Sequence, residues 1–307
     1  MSQTSSNPST VRRARRALAA LAASALAGAA LVVACTDPAT TGVASPGTAA
    51  QVSDFGPATH IQYGAPVQVG NGRARTYVVL DQKNGGAPLE LGVAFDESAM
   101  DGLPAASADH SGTGHPDMHA FVLPTPAQNP TPIRFVELDW NPVGHEPAGI
   151  YDKPHFDFHF YGISVAERNA IVPTDPQYAA RAGNFPAADY VPAGYLPPTI
   201  LAGAPPEAVA VPRMGMHWLS PATSPELPPT LTPFTSTFIY GTWDGRVIFA
   251  EPMVTRDYIM SKPNVTRRVA VAAKHEVRGW YPSSYTVGYD APTKEYRVSL
   301  GGFAKLD

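Results

Sequence analysis

Tyr151-Asp152-Lys153-Pro154-His155-Phe156-Asp157-Phe158-His159-Phe160-Tyr161 decides how the rest of the chain is read. Aromatic and polar residues alternate from His155 to Tyr161, and a period of two is the signature of a β-strand. Phe156, Phe158 and Phe160 should therefore face a core, while His155, Asp157 and His159 share the opposite face. A Phe row needs no further explanation than packing. Two imidazoles around a carboxylate on one strand face suggest shared chemistry.

The flanking segments read as more of the same fold. Arg75 to Leu80 and Leu89 to Phe95 flank the turn Lys83-Asn84-Gly85-Gly86, which predicts a β-hairpin. Met118 to Leu123 and Ile133 to Trp140 read as strands, and Asn141 to Pro147 turns the chain into the His-Asp-His strand. Ser164 with Glu167 fits a capping box for a short helix closed by Pro173. A second short helix begins near Asp175-Pro176, with Gly183 as its stop. Residues 185–230 are studded with Pro and read as a long loop wrapped around Met214-Gly215-Met216-His217-Trp218. Ser236 to Gly241 and Val247 to Glu251 flank Asp244-Gly245, another hairpin turn. A helical turn near Thr255 to Met260 stops at Pro263. Arg267 to Val271, Ser284 to Tyr289 and Tyr296 to Leu300 complete the strands.

The totals agree with this pattern. Pro numbers 33 and charged residues make up only 16% of 307 residues, which favours short strands and ordered loops over long helices. With 44% hydrophobic residues the chain can bury a sizeable core. The expectation is a mainly β, antiparallel, sandwich- or barrel-like single domain over residues 56–307, with a few short helices and long Pro-rich loops.

The N-terminus reads as an export signal. Arg12, Arg13, Arg15 and Arg16 precede an Ala- and Leu-rich apolar run, and residues 1–34 contain no acid. Leu31-Val32-Val33-Ala34-Cys35-Thr36 looks like a bacterial lipobox, which makes Cys35 the expected lipidation site and the membrane the expected partner. Cys35 is the only cysteine, so no intramolecular disulfide is available. Residues 35–55 would be a flexible tether, and the mature protein an extracytoplasmic, membrane-anchored lipoprotein. Removing the four arginines of the leader from the formal charge of −4 leaves −8, which argues against nucleic acid as a partner.

Seven of nine histidines lie between His110 and His217 (His110, His115, His119, His145, His155, His159 and His217). Zinc and similar divalent transition ions take three or four N/O ligands at about 2.0–2.2 Å. On a regular strand, residues two apart are separated by roughly 6.6–6.8 Å and residues four apart by roughly 13 Å. His155 and His159 therefore cannot readily share one ion, and each pairs more naturally with Asp157. His145, His155, Asp157, His159 and His217 form the candidate metal set. His119, Glu146, Glu251 and Trp218 are candidates for contacting a ligand. A buried hydrogen-bond network around Asp157 and a metal-free ligand pocket remain open beside it. The functional alternatives are a metal- or ligand-binding envelope protein, a metal-dependent hydrolase or lyase, and a structural module. No Gly-x-Ser-x-Gly elbow or Gly-x-Gly-x-x-Gly fingerprint supports a serine hydrolase or a dinucleotide site.

Four pieces resemble a family of exported bacterial proteins of unknown function with a structurally known representative from Thermus. They are Asn141-Pro142-x-Gly144-His145-x-Pro147, Pro154 to Tyr161, Met214-Gly215-x-His217-Trp218, and Tyr240-Gly241 followed by Phe249-x-Glu251-Pro252-Met253. The resemblance spans roughly residues 88–262. It implies a compact β-rich extracytoplasmic domain, leaves room for a homo-oligomer, and brings no reaction with it. A weaker comparison is α-carbonic anhydrase, which takes two zinc ligands from a His-x-His strand. His155-x-Asp157-x-His159 departs from that pattern at its centre.

Overall fold

The structure, a computed structural model, describes residues 47–48, 56, 58–106 and 118–306. The leader, Cys35, His110 and His115 lie outside the described residues, as does the tether apart from Gly47 and Thr48. Everything below belongs to the compact unit Ala44–Asp307.

The chain first lays down β1 (Gly47–Thr48), β2 (Thr59–Tyr63), β3 (Val67–Val69), β4 (Gly72–Asp81) and β5 (Ala87–Asp96). The expected hairpin is β4–β5, with Gly85 and Gly86 at positive φ in its turn. Next come β6 (His119–Pro124), β7 (Phe135–Asn141), β8 (His155–Tyr161), β9 (Met216–Trp218), β10 (Ser236–Trp243) and β11 (Arg246–Thr255). These six form a sheet of their own in the order β6-β7-β8-β11-β10-β9, every pairing antiparallel. β12 (Val265–Arg268), β14 (Ser284–Asp290) and β15 (Glu295–Gly301) return to the first sheet, giving it eight strands. β13 (Gly279–Tyr281) pairs with β16 (Ala304–Leu306) in a small third sheet that the sequence pattern did not predict. The mainly β, antiparallel expectation is met, but the sheets are open and no barrel closes. No helix among the described residues is long and apolar enough to cross a membrane.

The two large sheets share one core. Val78, Leu91, Val93, Phe95, Val298 and Leu300 from the first sheet join Val136, Leu138, Trp140, Phe156, Phe158 and Phe160 from the second. The Phe row faces inward as its alternation predicts, with Phe158 and Phe160 fully buried and Phe95 6.2 Å from the Phe158 ring.

Among the described residues five short α-helices decorate the strands: α1 (Val165–Asn169), α2 (Tyr178–Gly183), α3 (Pro198–Leu201), α4 (Pro206–Val209) and α5 (Arg256–Met260). The Ser164–Glu167 capping box is formed in both directions and starts α1. Residues 185–230 are more than a loop, because they carry α3, α4 and the edge strand β9, which pairs with β10. Ile163, Ile171, Tyr178 and Met214 pack on Phe135, Tyr161 and Phe249, so these segments cover the outer face of the six-stranded sheet. That cover explains why every residue of β7 and β8 is buried, polar ones included.

Phe158→Ala should lower stability by about 3–5 kcal/mol, the cost of a large cavity in a closed core. Urea denaturation would show this as a lower midpoint with an unchanged slope, and a loss under about 1 kcal/mol would place the ring outside the tight core.

Candidate metal site

Strand register assembles the polar row. Across β7 and β8, Glu137 lies opposite His159, Asp139 opposite Asp157, and Asn141 opposite His155. On the far side of β8, β11 contributes Glu251, which sits between the paired positions Ala250↔Phe160 and Met253↔Asp157. β9 brings His217 opposite Gly241 of β10, while Glu251 faces Ile239 on that same strand. All these side chains share the face away from the Phe core.

Two turns deliver the remaining imidazoles. Gly144 has φ +75°, and any side chain there would run into the Tyr151 carbonyl, so glycine lets the turn fold back and seat His145. Gly215, at φ +76°, lies so close to the Thr242 carbonyl that β9 can enter the sheet only with glycine at that point.

The result is two clusters, His145/His155/Asp157 and His159/His217/Glu251, each with ligand atoms within 4.8 Å of one another. In the first, Asp157 Oδ1 is 3.2 Å from His155 Nε2, and Oδ2 is 3.9 Å from His145 Nε2. In the second, Glu251 Oε2 is 3.5 Å from His159 Nε2 and 3.7 Å from His217 Nε2. A tetrahedral ion with bonds of about 2.0–2.2 Å separates its ligands by roughly 3.3–3.6 Å. The carboxylate-to-imidazole separations of 3.2–3.9 Å lie close to that range.

Hydrogen bonding tells metal-like clusters from ordinary networks. Despite their short separation, His159 Nε2 and Glu251 Oε2 are buried without a hydrogen bond of proper geometry, while His155 Nε2 and Asp157 Oδ1 pair at 3.2 Å. In the first cluster the Nδ1 atoms have backbone partners, and His159 Nδ1 is close to a carboxylate. His155 Nδ1 lies 2.6 Å from the Lys153 carbonyl, and His145 Nδ1 lies 2.7 Å from the Glu146 carbonyl. His159 Nδ1 lies 2.9 Å from Asp139 Oδ2. Holding Nδ1 on a carbonyl or carboxylate orients the ring and leaves Nε2 as the donor, a common arrangement around ligating histidines. Asn141 donates to Asp157 Oδ2 at 2.7 Å and holds that carboxylate in place.

Electrostatics points the same way. Burial pushes the Asp139 carboxyl well above its ordinary range, and Asp157 opposite adds to the shift. Burial also lifts Glu137 to about 7, with Asp139 adding to it and Arg168 opposing it. Glu251 is pushed up to about 8 by burial, against which His159 pulls it down. Burial alone would raise Asp157 too, but His155, His145 and His159 hold it below the usual carboxylate range. His155 is raised because Asp157 outweighs its burial, whereas His145 is lowered by burial. Arg168 is spent on Glu137, so the face carries buried carboxylates short of cationic charge. A divalent ion would offset that shortage.

Three candidates stand elsewhere. His119 pairs with Trp140, on the opposite face of the sheet, and its Nε2 lies 3.1 Å from the Ala105 carbonyl. Trp218 pairs with Tyr240 on that opposite face and donates to Thr242 Oγ1 at 2.7 Å. Glu146 is exposed and accepts from Ala148 N in its own turn. The structure also separates His145 from His217, which the sequence allowed in one cluster. Asp139, Glu137, Asn141 and Arg168 were missed. The alternation Glu137-Leu138-Asp139-Trp140-Asn141 carried the signal, since it repeats on β7 the polar row of β8.

A family model described as "TTHB210-like: Hypothetical protein TTHB210" matches residues 84–140. The matched part includes β5, β6 and all of β7 except Asn141, with Glu137 and Asp139, and stops short of both clusters. It is a likeness over that segment. No curated protein and no solved structure matches the chain.

Arg168→Met should cost about 3–5 kcal/mol, because it leaves the Glu137 carboxyl buried without its cation. The double variant Arg168→Met/Glu137→Leu should recover most of the loss in urea denaturation. A double variant no more stable than the single one would mean the pair is not the source of the cost.

Proposed function

We propose that this chain is a bacterial envelope lipoprotein whose folded body binds a divalent transition ion of the zinc class through His145, His155 and Asp157 and through His159, His217 and Glu251. One observation carries the reading: imidazole Nε2 atoms and carboxylate oxygens converge at 3.2–3.9 Å, and His159 Nε2 and Glu251 Oε2 among them are buried without a hydrogen-bond partner. A purely structural network would have used those atoms to satisfy one another. The donor set of imidazole and carboxylate suits zinc and its neighbours better than calcium or magnesium.

A second reading rests on the ligand count. Each cluster supplies three protein ligands, which leaves one position of a tetrahedral ion for water or a small molecule. An ion so held lowers the pKa of bound water, the chemistry of a metal-dependent hydrolase or lyase. Access is narrow, since only His145 and His217 reach solvent, with side chains 13% and 15% exposed. That favours a small substrate or ligand over a polymer.

The full chain, purified without an affinity tag or chelator, should contain about one equivalent or more of zinc, copper, iron or manganese by elemental mass spectrometry. The Asp157→Ala/His159→Ala variant should lose it. Wild-type protein that stays free of metal after being offered zinc would end the metal reading.

The anchor rests on the lipobox sequence and has its own test. Cys35→Ser should move the chain from the membrane fraction to the soluble one. A variant that stays membrane-bound would show that another segment holds it.

A further inference from the structure

The two clusters differ in what stands behind their histidines, and Asp139 lies between them. Asp157 and His159, one from each cluster, are two residues apart on one face of β8, so their backbone positions lie roughly 6.6–6.8 Å from each other. The clusters share no ligand. In the first cluster both Nδ1 atoms rest on neutral backbone carbonyls, of Glu146 and Lys153. In the second, His159 Nδ1 faces a carboxylate, Asp139, which is itself fully buried. Asp139 also lies directly across from Asp157 in the β7–β8 register.

We propose that the protein holds two divalent ions at once in sites of unequal strength, and that Asp139, a ligand to neither, makes the His159/His217/Glu251 site the tighter one. This deepens the metal-binding reading and rests on it. A carboxylate behind a ligating imidazole makes its Nε2 a stronger donor, and removing such a partner typically costs about 10–100-fold in metal affinity. Charge acts in the same direction. A divalent ion with Asp157 leaves a net positive charge at the first site. At the second, Glu251 and Asp139 give up their protons as the ion binds and together neutralise it. Asp139 also lowers the repulsion between the two ions, because its carboxylate lies on the face they share. Asp139 is thus a positioning residue, and the first site is the one that empties first.

Cobalt(II) is the probe, because its visible absorption reports the ligand set and geometry it occupies. Titrated into the full chain in detergent, it should bind as about two equivalents in two separated steps. His145→Ala and His217→Ala, both at half-buried positions, should each retain about one equivalent, with the tighter step surviving in His145→Ala. In the His145→Ala background, Asp139→Asn should raise the cobalt Kd by about 10–100-fold and shift the absorption band. In the His217→Ala background it should change neither. Asp139→Glu keeps the carboxylate and should bind more tightly than Asp139→Asn, which guards against a folding defect. A single step of one equivalent in wild type would overturn the two-ion inference and leave the metal reading standing. Equal weakening in both backgrounds, or in neither, would overturn the role of Asp139. No cobalt binding at all would defeat the metal reading beneath it.

Discussion

Burial of a carboxylate–imidazole row inside the six-stranded sheet is the constraint on which the rest of this structure depends. Taking a charge out of water is costly unless a partner stands beside it. On this face Glu137, Asp139, Asp157 and Glu251 are all nearly inaccessible. Arg168 answers one of them and the imidazoles answer part of the rest. The remaining imbalance shows in the raised carboxyl groups of Glu137, Asp139 and Glu251, each driven first by burial. A face built that way is stable only if it is enclosed with precision. The capped helix α1, helix α2 and the segment that carries Gly215 provide that enclosure.

Strand geometry then settles how the row divides. A period of two places His155, Asp157 and His159 on one face but spreads the two histidines over about 13 Å. Neighbouring elements complete each end separately: the Gly144 turn supplies His145 at one, and β9 and β11 supply His217 and Glu251 at the other. The α-carbonic anhydrase arrangement puts two ligands of one ion on a His-x-His strand. Here the central carboxylate belongs with the first histidine, and the second histidine belongs to another cluster. The strand is the shared edge of two sites.

The apolar face is governed by a simpler rule. Phe156, Phe158 and Phe160 meet the first sheet through Phe95 and its neighbours, and dispersion and burial there hold the sheets together. The polar row can be tuned residue by residue because it does not share this core. The family likeness over residues 84–140 takes in β6 and most of β7 and ends before β8, so what the clusters do must be argued from their own geometry.

The sequence by itself determined the local and the periodic. The Phe and His-Asp-His faces of β8, the hairpins at Gly85-Gly86 and Asp244-Gly245, and the Ser164 capping box all follow from a few adjacent residues whose conformations chemistry restricts. It also singled out His145, His155, Asp157, His159, His217 and Glu251. Only the tertiary structure decided which of them meet. Asp139 became a partner of His159 through the β7–β8 register, and His119 and Trp218 fell on the opposite face through pairing with Trp140 and Tyr240. Register and strand order depend on contacts between residues up to about two hundred positions apart. A strand's own periodicity states that its faces differ but leaves open which neighbours it will find there.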